Sequence, residues 1–296
     1  MKLNRLVVGC IALVAFSFVF NACQKLDRPE MGDLGPEPDP PPYEPLKSFW
    51  SFEGNTNDAG ESKLKGVSSN ISYVAGVTGQ AVKIGDKGYI MFSGNDTVRY
   101  QNGFAALSAD TLRNLGSFTY SFWMNVPGPV QGGAQGVFAI SHKTEFWGNM
   151  EVFLENHSNA TDPSEVFLKV HMFNAGVASG NGEQWNEVKI PGVLNKWSHI
   201  AIVYDGATSQ FSLYANGTVV PGFDKKVLAG GAYNKVKYNN FNGLVLGSFA
   251  FQTSPSMTNH GPESWAKSLN GSLDQFRLYN KPLTAAEIQT LYTTKQ

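Results

Sequence analysis

From Phe49 onward the sequence consists of short apolar stretches that alternate with clusters of glycine, asparagine, aspartate and serine. Stretches of four to nine residues have the length of β-strands, and the clusters between them supply the residues that tight turns require. Eleven such stretches are predicted as strands: 47–52, 81–84, 89–92, 118–126, 136–142, 151–155, 166–173, 198–204, 211–215, 244–249 and 271–279. So many strands with almost no helical periodicity predict an all-β sandwich or barrel.

One helix is predicted at the end of the chain. Thr284 and Glu287 have the spacing of a capping box, in which each side chain satisfies the backbone amide of the other residue. The apolar residues Ile288 and Leu291 follow at helical spacing. A short C-terminal helix is therefore expected after the last strand.

The overall composition fits one large β-domain and argues against nucleic acid as a partner. The chain has 296 residues, and no linker-like stretch interrupts residues 47–296, which are predicted as a single domain. The formal net charge is -1, without a block of basic residues. Nucleic-acid binding requires clustered lysine and arginine, so a neutral polymer such as a glycan fits this balance better.

The N-terminus has the features of an export signal. A basic start is followed by the apolar stretch 6–20, which is shorter than the roughly 20 residues of a transmembrane helix. The pair Ala22-Cys23 resembles the lipobox of bacterial lipoproteins, in which the cysteine is lipidated and becomes the mature N-terminus. Residues 1–22 are predicted as the signal peptide. Cys23 would then be the last cysteine left in the chain, available as an anchor and not for a disulfide.

Residues 23–46 are predicted to form a stalk. They contain seven of the fifteen prolines, with acidic residues between them and no apolar periodicity. Such segments favour extended polyproline II structure and act as semi-rigid spacers. A partner-binding motif within the proline-rich part is the alternative interpretation.

Five stretches of the predicted domain resemble, in order, the laminin-G-like jelly rolls of the concanavalin A-like superfamily. They are Ser51–Gly60, Val77–Ile84, Ser117–Met124, Lys196–Gly217 and Leu269–Ile288. The resemblance implies a two-sheet antiparallel jelly-roll sandwich with one short C-terminal helix. It leaves activity open, because this family includes lectins, adhesins, spacers and some glycosidases.

Two predicted strands each have an apolar face and a mixed face. In both, every second residue is aliphatic or methionine, and these residues are expected in the core. The opposite face carries Glu151, Phe153, Glu155, His157, Phe167, Lys169, His171 and Phe173. Aromatic rings next to charged side chains suit sugars, whose CH faces stack on rings while their hydroxyls form hydrogen bonds. A loop or the stalk covering this face is the alternative.

Three tryptophans lie in stretches predicted as loops, namely Trp147, Trp185 and Trp265. Trp147 and Trp185 flank the two mixed strands in sequence and are predicted to form the rim of a glycan-binding groove. The predicted carbohydrate-binding residues are Trp147, Trp185, Glu151, Phe153, Phe167, Lys169, His171 and Phe173.

The alternative of a glycoside hydrolase depends on Glu151 and Glu155. This pair looks like the Glu-x-Asp-x-Glu strand of retaining jelly-roll glucanases, which use a nucleophile and an acid about 5–5.5 Å apart. Phe153 stands where those enzymes have the aspartate between the pair. This difference favours a protein that is not an enzyme.

The resemblance also implies a structural calcium ion. Family members often bind calcium where the turn after the first strand meets the closing strand. The corresponding residues are Glu53, Asn55 and Asp274, with Asp58 as a further possible ligand. Glu53 stands where the family usually has aspartate, and turn formation without a metal is the alternative role of these residues.

The sequence therefore predicts a lipid-anchored, non-catalytic glycan-binding protein on the bacterial outer membrane. It resembles the lipoproteins of polysaccharide-utilisation systems, for which outer-membrane glycan importers would be partners. An adhesion or protein-interaction module of the same fold is the second hypothesis.

Overall fold

The strands form one continuous curled sheet. The computed structural model describes residues 44–93, 115–178 and 180–296, and the predicted signal peptide, Cys23 and nearly all of the stalk lie outside these residues. Residues 44–296 belong to one compact unit. Among the described residues, no helix has both the length and the apolar character needed to cross a bilayer.

The described residues form fifteen strands and one α-helix. The strands are β1 (Leu46–Trp50), β2 (Val67–Ala75), β3 (Gln80–Ser93), β4 (Phe118–Asn125), β5 (Ala134–His142), β6 (Met150–Leu154), β7 (Val166–Phe173), β8 (Glu183–Ile190), β9 (Trp197–Asp205), β10 (Gln210–Ala215), β11 (Thr218–Val219), β12 (Lys226–Val227), β13 (Phe241–Leu246), β14 (Ala266–Ser268) and β15 (Gly271–Tyr279). The helix α1 spans Ala285–Thr293.

The strand order is β11-β10-β9-β4-β15-β3-β13-β5-β6-β7-β8, with β1, β2, β12 and β14 paired at the sides. All pairs are antiparallel except β14 with β5. The sheet curls so that the inner faces of its two halves enclose one core. The largest fully buried side chains of that core include Trp50, Tyr120, Phe122, Phe138 and Tyr204. This arrangement confirms the predicted all-β jelly-roll sandwich with one short C-terminal helix.

Every second side chain of β6 and β7 is buried in the core, as the sequence predicted. Met150, Val152 and Leu154 are buried in the main core, together with the four alternate residues of β7 from Val166 to Met172. The two predicted strands 81–84 and 89–92 are parts of the single strand β3.

Both outer faces of the sandwich carry further apolar clusters. On the β9–β10 side, α1 covers the sheet with Ile288 and Leu291, which pack against Ala201 and Val203. The capping box of this helix is present as predicted: the Thr284 side chain accepts from Glu287 N, and the Glu287 side chain accepts from Thr284 N.

On the β5–β6 side, the chain segment 249–257 covers only part of the outer face. Ala250 and Met257 pack on β5 and β13, and Phe249 and Phe251 pack beside Phe153 of β6. The rest of this outer face, over β6, β7 and β8, contains the site described next.

Candidate functional site

A shallow depression of about 330 Å³ lies on the outer face of β6, β7 and β8. Its lining consists of Trp147, Phe153, Glu155, Lys169, Trp185, Glu187 and Trp265. We call this set the aromatic depression. Three tryptophans from distant parts of the chain thus meet beside three charged side chains.

Strand register places the floor of the depression. Phe153 of β6, Lys169 of β7 and Glu187 of β8 lie directly opposite one another across the three strands. Trp185 is two residues before Glu187, and therefore points to the same side of the sheet. The sequence predicted a loop at Trp185, whereas the structure places it within β8.

A tight turn between β5 and β6 positions Trp147. Gly148, which follows it, has a φ of 67°, a conformation that favours glycine. A Cβ at Gly148 would also lie 2.7 Å from the carbonyl oxygen of Ile140. The turn can therefore fold back closely onto β5 and hold the Trp147 ring above Phe153.

The rings form a bent platform. Trp147 is nearly parallel to Phe153, with ring centroids 5.7 Å apart at 10°. Trp185 stands perpendicular to Trp147 at 5.1 Å and 89°, and Trp265 is tilted to it by 46° at 5.8 Å. Phe249 lies 5.4 Å from Phe153 and supports the platform from the covered part of this face. Trp265 is 38% exposed, and Trp147 and Trp185 are half-buried.

The charged side chains of the depression are linked to each other. Lys169 Nζ lies 3.1 Å from Glu155 Oε2 and 3.5 Å from Glu187 Oε1. The same ammonium lies 5.1 Å from the Phe167 ring centroid and 6.0 Å from that of Phe153. Lys169 therefore holds two carboxylates at one side of the aromatic platform.

His171 lies beneath Trp185 and is only 2% exposed. Its Nε2 is 3.2 Å from Glu183 Oε1, and the same oxygen accepts a hydrogen bond of 3.2 Å from Trp185 Nε1. Burial lowers the pKa of His171, while the neighbouring Glu183 opposes this shift. The predicted site residue His171 therefore supports Trp185 from below and does not line the depression.

Glu151 also lies below the surface, whereas the sequence predicted it on the exposed mixed face. It is fully buried between Ala139 and His171 in the register of β5, β6 and β7. Neither carboxyl oxygen has a hydrogen-bond partner in the described part of the chain, and burial raises the pKa of Glu151 well above its usual value. A ligand in the depression does not reach this carboxyl, because its oxygens are inaccessible.

The two remaining predicted residues lie beside the depression. Phe167 is half-buried between Lys169 and Lys189, whose ammonium is 5.7 Å from the ring centroid. Phe173 lines a neighbouring depression of about 440 Å³, whose lining also includes His171 and shares Trp147 with the aromatic depression. The structure thus brings Trp147, Phe153, Lys169 and Trp185 into one site and leaves Phe167 and Phe173 at its sides.

Comparison of the sequence with family models agrees with the observed fold. Residues 99–289 match a family model described as the concanavalin A-like lectin/glucanases superfamily. The chain belongs to this superfamily. No curated protein sequence matches it.

Solved structures with this superfamily fold include bacterial toxin binding domains. The binding domain of Paraclostridial Mosquitocidal Protein 1 has a TM-score of 0.55 at 15% identity, over 84% of this chain and 52% of that one. The binding domain of Botulinum neurotoxin DC, in complex with rat synaptotagmin II, has a TM-score of 0.54 at 14% identity, over 85% and 52%.

A third similar structure concerns botulinum neurotoxin type C, whose cell entry depends upon interaction with two ganglioside molecules. Its TM-score is 0.55 at 14% identity, over 84% of this chain and 50% of that one. The present chain spans about half the length of each of these three structures. At such identities the likeness shows the shared fold.

The residues that the superfamily resemblance assigned to calcium are all bonded to the backbone. Asp274 Oδ2 accepts from Val77 N at 2.8 Å and from Thr78 N at 3.2 Å, and Glu53 Oε2 accepts from Gln80 N at 3.0 Å. Gly76 permits this approach, because a Cβ there would collide with Asp274 Oδ2.

Asn55 Oδ1 accepts from Asn57 N, and Asp58 accepts from Phe49 N and Gly60 N, so these side chains brace the first turn. Within 44–93, 115–178 and 180–296, no group of three histidines, cysteines or acids is arranged to hold a metal ion. In this arrangement the residues anchor turns. Calcium binding stays a prediction of the sequence.

Three residues of the site, Glu155, Glu187 and Trp265, were not among the predicted carbohydrate-binding residues, although Glu155 was placed on the mixed face. Trp265 is separated by 80 residues from Trp185, and only the fold brings it to the depression. Glu187 lies on β8, which was not predicted because its sequence Glu183–Ile190 is largely polar. The alternation of Glu183, Trp185, Glu187 and Lys189 along one face was the available signal.

Proposed function

We propose that this chain is a non-catalytic carbohydrate-binding protein that holds a glycan in the aromatic depression. The observation that carries the proposal is the bent platform of Trp147, Trp185 and Trp265 beside Glu155, Lys169 and Glu187, on a part of the sheet that no segment within 44–93, 115–178 and 180–296 covers. The volume of the depression, about 330 Å³, is at the small end of the roughly 300–1,000 Å³ of ligand pockets. It therefore suits one or two sugar residues at a time.

The chemistry of the lining matches that of a sugar. The CH face of a pyranose ring packs on an indole, and its hydroxyls donate to carboxylates or accept from an ammonium group. Perpendicular rings such as Trp147 and Trp185 offer one indole face and one indole edge to the same ligand. A single soluble glycan chain fits such a corner better than the flat surface of a crystalline polysaccharide, which would require coplanar aromatic rings.

The superfamily supports a binding role without specifying the ligand. Its description includes lectins, and a structurally similar neurotoxin interacts with gangliosides. Sequence identity to that toxin is too low to carry a ligand or a binding residue across.

Burial of Glu151 favours binding over hydrolysis at this place. Glycosidases need two carboxyl groups on either side of the scissile bond. Glu155 lines the depression, but both Glu151 oxygens are inaccessible, so this pair does not flank a ligand there.

The cellular role belongs to the proposal as well. Lipidation at Cys23 after removal of residues 1–22, and a stalk over 23–46, would place the domain on the outer membrane. A glycan held there would be supplied to importers and hydrolases of a polysaccharide-utilisation system.

Affinity electrophoresis of the domain against a panel of soluble polysaccharides tests the proposal. We expect at least one polysaccharide to retard the wild type, and Trp147→Ala and Trp185→Ala to weaken its binding at least tenfold. Trp265→Ala should also weaken binding, although the sequence did not assign Trp265 to the site. Val67→Ala, at a side chain 64% exposed on β2, is the control for loss of surface apolar area.

Thermal unfolding of each variant separates loss of binding from loss of fold. Retention that is unchanged in both Trp147→Ala and Trp185→Ala contradicts the site. If no polysaccharide retards the wild type while a protein partner binds through these tryptophans, the interaction-module hypothesis replaces the proposal.

A further inference from the structure

The charges around the aromatic depression specify the class of glycan. We infer that the site accepts uncharged glycans and rejects acidic ones such as polyuronates and sulfated polysaccharides. This inference rests on the proposed function and adds the chemistry of the substrate to it.

The first step is the charge balance of the lining. Among the described residues that line the depression, Glu155 and Glu187 are acidic and Lys169 is the one cation. The lining therefore has a formal charge of -1 where a ligand would bind. A carboxylate or sulfate on the ligand would approach two like charges, and such juxtaposition disfavours binding.

The second step is that Lys169 is already engaged. Its ammonium lies 3.1 Å from one carboxylate and 3.5 Å from the other, between β6 and β8. An acidic ligand would have to compete with both Glu155 and Glu187 for this ammonium. Recognition of an anionic sugar usually requires a basic group whose charge is not already balanced, and two carboxylates within 3.5 Å balance the single charge of Lys169.

The third step concerns the groups around the platform. Glu183, which accepts from Trp185 Nε1 and contacts His171, adds a further acidic side chain on the same face. Burial lowers the pKa of His171, so this residue brings no positive charge at neutral pH. Lys189 is on the same face, 5.7 Å from the Phe167 ring centroid; like Glu183 it lies outside the lining, and the opposite charges of these two residues leave the balance at -1.

A neutral glycan meets the opposite situation. Its hydroxyls are donors, and the carboxylates of Glu155 and Glu187 are strong acceptors with free lone pairs at the edge of the platform. Lys169 keeps these two acceptors in place before the ligand arrives, so little ordering is needed on binding.

The test uses matched ligands and the full mature chain. Each neutral polysaccharide that retards the wild type is compared with its own carboxymethylated derivative, and polygalacturonate and chondroitin sulfate complete the set. At low ionic strength, where surface charges are least screened, we expect carboxymethylation to weaken binding at least tenfold. Polygalacturonate and chondroitin sulfate should not retard the protein.

A double variant tests the cause of the discrimination. Glu155→Gln with Glu187→Gln frees Lys169 and removes both like charges, so the penalty for carboxymethylation should shrink to less than threefold. Asp86→Asn with Asp224→Asn makes the same change in net charge at two exposed residues outside the depression, and should leave the penalty unchanged.

The outcomes separate the inference from the proposed function. If an acidic glycan binds the wild type as tightly as its neutral counterpart and Trp147→Ala abolishes both, the site is a glycan site and the inference is wrong. If no glycan of either class binds, the proposed function fails and the inference fails with it. If the penalty for carboxymethylation shrinks equally in the control variant, the discrimination comes from the net charge of the protein. That result would overturn its assignment to Glu155, Glu187 and Lys169.

Discussion

The two outer faces of the sandwich both carry a histidine and large aromatic rings, but the chain covers them differently. On the β4–β9 side, Trp123 stacks on Tyr292 with centroids 5.6 Å apart at 20°, and its Nε1 donates to the carbonyl of Gln296. On the β6–β8 side, Trp147 stacks on Phe153 and meets Trp185 edge to face, and part of each tryptophan stays exposed. Aromatic residues on an outer face are thus candidates for function where no described segment of the chain packs on them.

The polar groups of the two faces differ in the same way. His199 on the covered face is fully buried and bonded to Ser121 Oγ at 2.8 Å, and burial together with the Arg277 guanidinium lowers its pKa to about 4. His171 on the open face instead contacts Glu183, whose side chain is 55% exposed. His199 therefore has a buried hydrogen-bond partner, while His171 contacts a side chain that reaches the solvent.

Removing the cover from the helical face should have the largest effect on stability. Ile288 of α1 is fully buried, and Ile288→Ala should lower the free energy of unfolding by about 3 kcal/mol, within the usual range of 2–5 for such truncations. Denaturant unfolding measures this loss. Glycan binding by the folded variant should not change, because the helix lies on the face away from the aromatic depression. Weakened binding in the folded variant would show that the two faces are coupled.

Acid should destabilise the covered face next. The pKa of His199 is lowered in the folded state from 6.5 to about 4, so the unfolded chain takes up this proton first. The stability contributed by neutral His199 is fully present above pH 6.5 and is lost as the pH falls toward 4. At pH 5 the loss amounts to about 2 kcal/mol.

In His199→Gln, a side chain that can still bond to Ser121, the difference in the free energy of unfolding between pH 7 and pH 5 should shrink by this amount. An equal pH dependence in the variant and the wild type would contradict the buried neutral histidine.

The smallest effect is expected at Glu151, beneath the open face. Its pKa is raised by burial, so the folded state holds this proton above pH 4.5, where the unfolded chain has lost it. The stability contributed by the neutral acid is present below pH 4.5. It is lost as the pH rises toward the folded pKa, at up to about 1.4 kcal/mol per pH unit.

Glu151→Gln keeps the shape without the charge, and its stability relative to the wild type should therefore increase from pH 5 to pH 6. A constant difference over this interval would mean that Glu151 has a partner for its charge.

Local patterns predicted those parts of the fold that depend on nearby residues. The alternation in β6 and β7 gave the core side, and the spacing of Thr284 and Glu287 gave the start of α1. Strand β2 was not predicted because its sequence, from Val67 to Ala75, is largely exposed and lacks a buried alternate face. Prediction was therefore best where a buried face imposes its period on the sequence.

The site could be predicted only in part, because burial of an outer face depends on distant segments. The mixed face of β6 and β7 was recognised, and Trp147 and Trp185 were placed beside it. Glu151 and His171 are nevertheless buried, since the β5–β6 turn and the 249–257 segment pack over this side of the sheet. No local pattern in β6 or β7 records these contacts.

The perpendicular arrangement of Trp147 and Trp185 gives the protein an optical property. Two indoles 5.1 Å apart have nearly equal electronic transition energies, so their transitions couple and contribute a paired signal to the circular dichroism spectrum. Any molecule that inserts between the rings or rotates one of them changes that coupling. Occupancy of the depression can thus be followed by light absorption alone, without a label attached to either the protein or the sugar.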